Sequence, residues 1–77
     1  MRKIICGRTY DTVSSNVIKK ITEGFYGDPA GYEETLYVTK DGYYFLYTNG
    51  GNESKYPKES IRRMSASAAA EWQKERQ

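Results

Sequence analysis

The side chain that most enzymes use to move protons near neutral pH is missing, because the chain contains no histidine. Ser-His-Asp catalysis, a histidine general base and most zinc sites therefore have nothing to run on. Cys6 is the only cysteine, has no histidine to draw off its proton and follows the β-branched pair Ile4-Ile5. It reads as a buried structural thiol inside a strand. Glu33 and Glu34 are neighbours, so on a strand they point to opposite faces and cannot act as an acid and base pair. A solvated strand end is expected there. Gly50-Gly51 followed by Lys55 has the composition of a phosphate loop without its spacing, and Pro57 stands where the helix should start. That stretch is expected to be a turn. No catalytic residue, metal ligand set or cofactor site is expected, and the chain is read as a non-enzyme.

The remaining chemistry is recognition. Tyr43, Tyr44 and Tyr47 fall on one strand-like run, with Lys40 just before it and Arg62 and Arg63 further along. Successive strand residues alternate faces, so a sheet covered by a helix on one side leaves some of these rings on the other. Rings flanked by Lys and Arg can anchor a protein partner or stack on bases, in competition with an ordinary solvated sheet face. A second set, Arg2, Lys3, Lys19 and Lys20, could contact phosphates. The net charge is only +2, but it is laid out in blocks. Residues 1–22 carry Arg2, Lys3, Arg8, Lys19 and Lys20 against Asp11 alone, and residues 23–34 carry Glu23, Asp28, Glu33 and Glu34 with no base. This bipolar chain lacks the uniform basic field of a strong nucleic-acid binder.

These residues must be positioned by a small number of elements. Seventy-seven residues make one domain spanning 1–77, small enough that a second copy or a partner would add useful contacts, so a homodimer is one option. At 38% hydrophobic residues with eight tyrosines, the composition argues against disorder. Residues 3–10 suggest a first strand with a bulge or early end at Gly7, and Asp11 can cap a short turn through Asn16. Residues 17–22 mix helical spacing with β-branched side chains and are read as a strand. Gly24, Gly27, Asp28, Pro29 and Gly31 mark a loop. The clearest local signal is the pair of runs 34–39 and 43–48 around Lys40-Asp41-Gly42, which predicts a hairpin. Two registers stay open. A two-residue Asp41-Gly42 turn puts Leu36, Val38, Phe45 and Tyr47 on one face, and a three-residue loop with Gly42 left-handed puts Leu36, Val38, Tyr44 and Leu46 there. Pro57 suggests an edge before an extended stretch ending near Met64. Ser65 looks like the N-cap of a last helix reaching about Arg76, with Met64 and Ala69 spaced as a hydrophobic staple. Trp72 then lands on the hairpin's apolar face. The expected fold is α+β, a three- to four-stranded antiparallel sheet with the C-terminal helix packed on one face and the opposite face free.

The runs KIICGRTYDT at 3–12, YEETLYVTKDGYYFLYTNGG at 32–51 and Ser54-Lys55-Tyr56 occur in an order that resembles the small uncharacterised proteins carried by conjugative and phage-derived elements of Gram-positive bacteria. The resemblance extends to the closing helix with Trp72. It implies a mobile-element origin and, with it, a protein that binds host or element-encoded machinery, including inhibitors of defence nucleases. No activity or site residue comes with it, and between Lys55 and Ile61 this chain is shorter than that family. The leading expectation is a protein-binding module using the tyrosine face or a sheet edge, and the alternative is a small nucleic-acid-binding domain. Lone Cys6, the short apolar run at the start and the absence of a membrane-spanning apolar stretch fit a cytoplasmic protein with no membrane role.

Overall fold

A computed structural model describes residues 1–24 and 28–76. The elements follow the order β1 (Arg2–Ile5), β2 (Arg8–Asp11), β3 (Asn16–Glu23), β4 (Tyr32–Val38), β5 (Tyr44–Gly50), β6 (Ser60–Met64) and α1 (Ala66–Glu75). Strands β3-β4-β5-β6 form a four-stranded antiparallel sheet in sequence order, and β1-β2 form a separate two-stranded ribbon. The fold is therefore α+β as expected, with one more layer than expected. Residues 25–27, which include part of the predicted glycine-rich loop, lie outside the described residues.

The central hairpin forms for the reason its sequence suggests. Gly42 takes φ +88°, a left-handed conformation that costs other residues dearly. The Thr39 N–H donates to the Tyr43 carbonyl at 2.8 Å and the Gly42 N–H to the Thr39 carbonyl at 3.0 Å. This is the three-residue loop, and it decides the register: Leu36 lies opposite Leu46 and Val38 opposite Tyr44. Leu36, Leu46, Ala69 and Trp72 form one buried cluster, with Ile21, Tyr44 and Met64 packed around it. The helix that covers this side starts where expected, its Ser65 hydroxyl accepting from the Ala68 N–H at 3.1 Å. Its far end is held by Lys19, whose ammonium donates to the Arg76 carbonyl and satisfies one of the helix's unpaired terminal acceptors.

The first eleven residues differ from expectation. The chain turns back on itself at Cys6-Gly7, with φ +52° and +77°, so the predicted single strand is two strands joined by a tight left-handed turn of the kind that matches strand twist. Cys6 is thereby exposed at the ribbon's tip and is not a buried thiol. The ribbon lies on the side of the sheet away from the helix, where Tyr10, Phe45 and Ile61 form a second buried cluster with Ile5, Tyr37 and Tyr47 around it. Tyr10 meets Phe45 edge-on at 5.5 Å between centroids, and Tyr37 stacks on Phe45 at 5.0 Å. The side expected to be free is covered, because half-buried apolar rings on that side needed a second layer to exclude water. Asp11 does cap the turn that follows, accepting from the Val13 N–H at 3.0 Å.

The outer edge of β3 carries exposed Val17 and Ile18. A bulge between Val17 and Lys19 interrupts its register, and Lys19 and Lys20 follow. A bulge and lysines are the usual means of blunting an edge against further strand pairing.

Candidate interaction surface

Two places bring together tyrosine, arginine, lysine and carboxylate side chains. The first centres on Glu34, expected at a solvated strand end but only 2% exposed. It lies on the helix side of β4. The Tyr56 hydroxyl donates to its Oε2, the Arg76 guanidinium donates to its Oε1 at 2.9 Å, and the Lys55 ammonium stands 4.0 Å away. Burial alone would push the Glu34 carboxyl up. The hydrogen bonds from Tyr56 and Arg76, aided by the charges of Arg76 and Lys55, outweigh burial and hold it below the usual carboxylate range. Tyr56 is pushed up to about 12, first by burial and then by its bond to Glu34. A carboxylate this well supplied with donors stays ionised, so it has no proton to give and little basicity to offer. Its effect is to tie the end of α1 and the 51–57 loop to the sheet.

The second place is the corner where the 39–43 turn meets the ribbon. The Arg8 guanidinium sits over the Tyr43 ring at 3.5 Å from its centroid, and Tyr43 remains 41% exposed. Such stacking fixes a flexible arginine in one orientation. Arg63, opposite Phe45 on β6, shares the ribbon side with Tyr43 at the same end of the sheet. Beside them a cleft of about 260 Å³ is walled by Arg2, Thr9 and Asp11 of the ribbon, Ser14 and Ser15 of the following turn, and Thr39, Lys40 and Asp41 of the hairpin loop. Among the described residues, Arg2, Arg8, Lys40 and Arg63 make no ion pair.

The predicted partner-binding residues thus separate. Lys40, Tyr43 and Arg63 belong to this corner. Tyr44 and Arg62 face the helix side, Tyr44 packed against the Leu36–Trp72 cluster and Arg62 opposite Leu46. Tyr47 is half-buried on the ribbon side, its hydroxyl donating to Glu59 at 2.9 Å, and is pushed up to about 12 chiefly by burial. The predicted phosphate contacts also separate: Arg2 lines the cleft, Lys3 lies opposite Tyr10 in the ribbon, Lys19 is engaged by the helix end, and Lys20 lies 3.5 Å from Glu33. Arg8 was missed. Reading Cys6-Gly7 as a reversal was the signal that would have returned Arg8 to the sheet.

At the opposite end of the sheet a cleft of about 530 Å³ is lined by Glu23, Asp28 and Glu33, with Gly50 and Gly51. The two glycines serve backbone approach and not phosphate binding, since a Cβ on Gly51 would stand 2.3 Å from the Pro29 carbonyl oxygen. Among the described residues no cluster of His, Cys, Asp and Glu could hold a metal ion, and no helix is long and apolar enough to cross a membrane.

The chain is a small α+β domain that carries, at one corner, an arginine stacked on an exposed tyrosine ring. Compared with protein-family models, with curated proteins and with solved structures, the chain matches none.

Proposed function

We propose that the chain is a non-enzymatic protein-binding module, an accessory or anti-defence factor of a mobile genetic element acting in the cytoplasm, and that it holds its partner through Arg8, Lys40, Tyr43 and Arg63. The mobile-element setting rests on the resemblance of the 3–12 and 32–51 runs. The single observation that carries the binding role is Tyr43, an exposed ring already pinned under a guanidinium. Tyr and Arg supply a disproportionate share of interface energy, and a ring held in place before contact loses less entropy on binding. A nucleic-acid role has less to draw on. Its sheet face is covered by the ribbon, and Lys19 and Lys20 are engaged within the chain.

Affinity capture from a host lysate at moderate salt, with the wild-type chain beside Tyr43→Ala, tests the proposal. A stoichiometric protein retained by the wild type and lost by the variant is the expected result. Retention of no protein, or equal retention by both, overturns it.

A further inference from the structure

The charge left over at the Tyr43 corner indicates what kind of partner surface would complete it. Arg8 stacked on Tyr43, Lys40 of the hairpin loop and Arg63 of β6 lie towards one end of the sheet, against Asp41, while Arg2 lies opposite Asp11 at the open end of the ribbon and lines the adjoining cleft. Asp11 already accepts a hydrogen bond from the Val13 N–H. Of the other carboxylates, Glu34 is buried within its own ion pairs, Glu33 is bridged to Lys20, Glu23 and Asp28 line the far cleft with it, Glu59 accepts from Tyr47, Glu75 pairs with Arg76, Glu71 lies on the helix and Glu53 in the 51–57 loop. Asp41 acts on Arg8 without forming an ion pair, so among the described residues Arg8, Lys40 and Arg63 outnumber the carboxylate beside them and the corner keeps a net positive charge. A stacked guanidinium keeps its in-plane N–H fork at the ring's edge, where planar carboxylates bind in a two-point arrangement. Four hydroxyls, from Thr9, Ser14, Ser15 and Thr39, line the adjoining cleft and can bond a peptide backbone.

We infer that the corner's ligand is an acidic peptide segment of the partner, one that sets carboxylates against Arg8, Arg63 and Lys40 and an apolar or aromatic side chain against the exposed part of Tyr43. This inference rests on the protein-binding reading above and adds the partner's chemistry. Each charge-assisted contact formed there sets both affinity and encounter rate, and being at the surface it weakens with salt.

The test uses a fluorescein-labelled ten-residue peptide of alternating Glu and Tyr, its Gln-for-Glu counterpart and a single-stranded oligonucleotide of matching charge, titrated into the full chain and followed by anisotropy and by residue-resolved NMR. The expected result is that the Glu peptide binds about tenfold more tightly than the Gln peptide. It should shift the resonances of Arg8, Lys40, Tyr43 and Arg63, and weaken several-fold between about 50 and 250 mM salt. Arg8→Glu with Lys40→Glu should abolish that preference, while Arg8→Lys, which keeps the charge and loses the fork, should give an intermediate loss. Unchanged melting of each variant separates lost contact from lost fold. Equal binding of the Glu and Gln peptides, shifts confined to other residues, or tighter binding of the oligonucleotide at the same residues would overturn the inference. If the captured partner still depends on Tyr43 but ignores both charge reversals, the acidic ligand fails and the binding role stands. Indifference to Tyr43 as well removes both.

Discussion

Glu34 and Tyr43 lie on the same hairpin and gather the same kinds of side chain, yet their surroundings differ in one physical respect. Around Glu34 every charge has an internal counterpart: Arg76 and Lys55 face the carboxylate, and Tyr56 donates its remaining hydrogen bond. Around Tyr43 the cations form no ion pair among the described residues, Asp41 acting on Arg8 without bridging it, and the ring keeps much of its surface in water. The first arrangement spends its interactions on holding the fold, and the second leaves them open to another molecule. Composition does not separate the two; the degree to which donors and acceptors are satisfied does.

The sharpest way to test this difference is to truncate rings two residues apart on the same side of the sheet. Phe45 is fully buried between Tyr10 and Tyr37, so Phe45→Ala should lose about 3–5 kcal/mol through the transfer and cavity terms. Tyr43→Ala should stay within about 0.5–1 kcal/mol, as expected of an exposed position whose cation–π contact is solvated. Urea denaturation of both variants checks this, and comparable losses would mean that Tyr43 is a fold residue after all.

Next in size is the Glu34 lock. Glu34→Gln leaves Arg76 facing a neutral acceptor, with an expected loss of about 1–3 kcal/mol, held down because Arg76 is itself 27% exposed. Lys40→Gln should leave stability unchanged within about 0.5 kcal/mol, since no carboxylate among the described residues forms an ion pair with it. A Glu34→Gln variant as stable as the wild type would show that the buried pair is not what holds the helix end.

The same lock should write its signature into the pH dependence. Because the folded Glu34 carboxyl is held below its ordinary value of 4.5, the folded state binds fewer protons than the unfolded state there. Its contribution is complete above pH 4.5 and is lost as pH falls through the lower folded value. Tyr56 acts at the other limb: with its pKa raised from 10.0 to about 12, its contribution is complete below pH 10 and is lost as pH rises towards 12. Tyr56→Phe should make the alkaline and acid limbs shallower together, because both groups share one hydrogen bond, and should leave the part of the alkaline limb that Tyr47, also raised to about 12, contributes. Melting temperatures measured from pH 3 to 11 read both limbs. An acid limb untouched by Tyr56→Phe would count against the coupling.

What could be read from the sequence follows the distance over which each cause acts. The hairpin at Asp41-Gly42, the Ser65 cap and the inward phase of Trp72 depend on neighbours within a turn or two, and all three appear as expected. The two hairpin registers could not be separated in advance, because both place Leu36 and Val38 on one face. Glu34 was unreadable for a different reason: its partners stand 22 and 42 residues downstream, beyond any local periodicity. The tyrosines misled through the same gap. Tyr47 is half-buried because a ribbon from the other end of the chain lies on that side, and alternation along β5 carries no trace of it. Of the corner, Lys40, Tyr43 and Arg63 were visible as residue types, and Arg8 was hidden by the unread turn at Cys6.

That turn offers the smallest expected effect and bears directly on the corner, since it returns Arg8 to Tyr43. Cys6 holds φ +52° and Gly7 φ +77°, the left-handed pair required by a two-residue hairpin. Asparagine tolerates this conformation better than cysteine, because its short polar side chain can bond locally, so Cys6→Asn should gain about 0.5 kcal/mol. Gly7→Ala should lose about 1 kcal/mol although nothing lies within 4 Å of the added methyl, since the cost is purely conformational. The opposite signs matter more than the sizes. If the reversal positions the guanidinium, Gly7→Ala should also loosen Arg8 over Tyr43 and raise the ring's solvent exposure, read by tyrosine fluorescence quenching, while Cys6→Asn leaves it as it is. Stability changes of one sign at both positions would place the strain elsewhere in the ribbon.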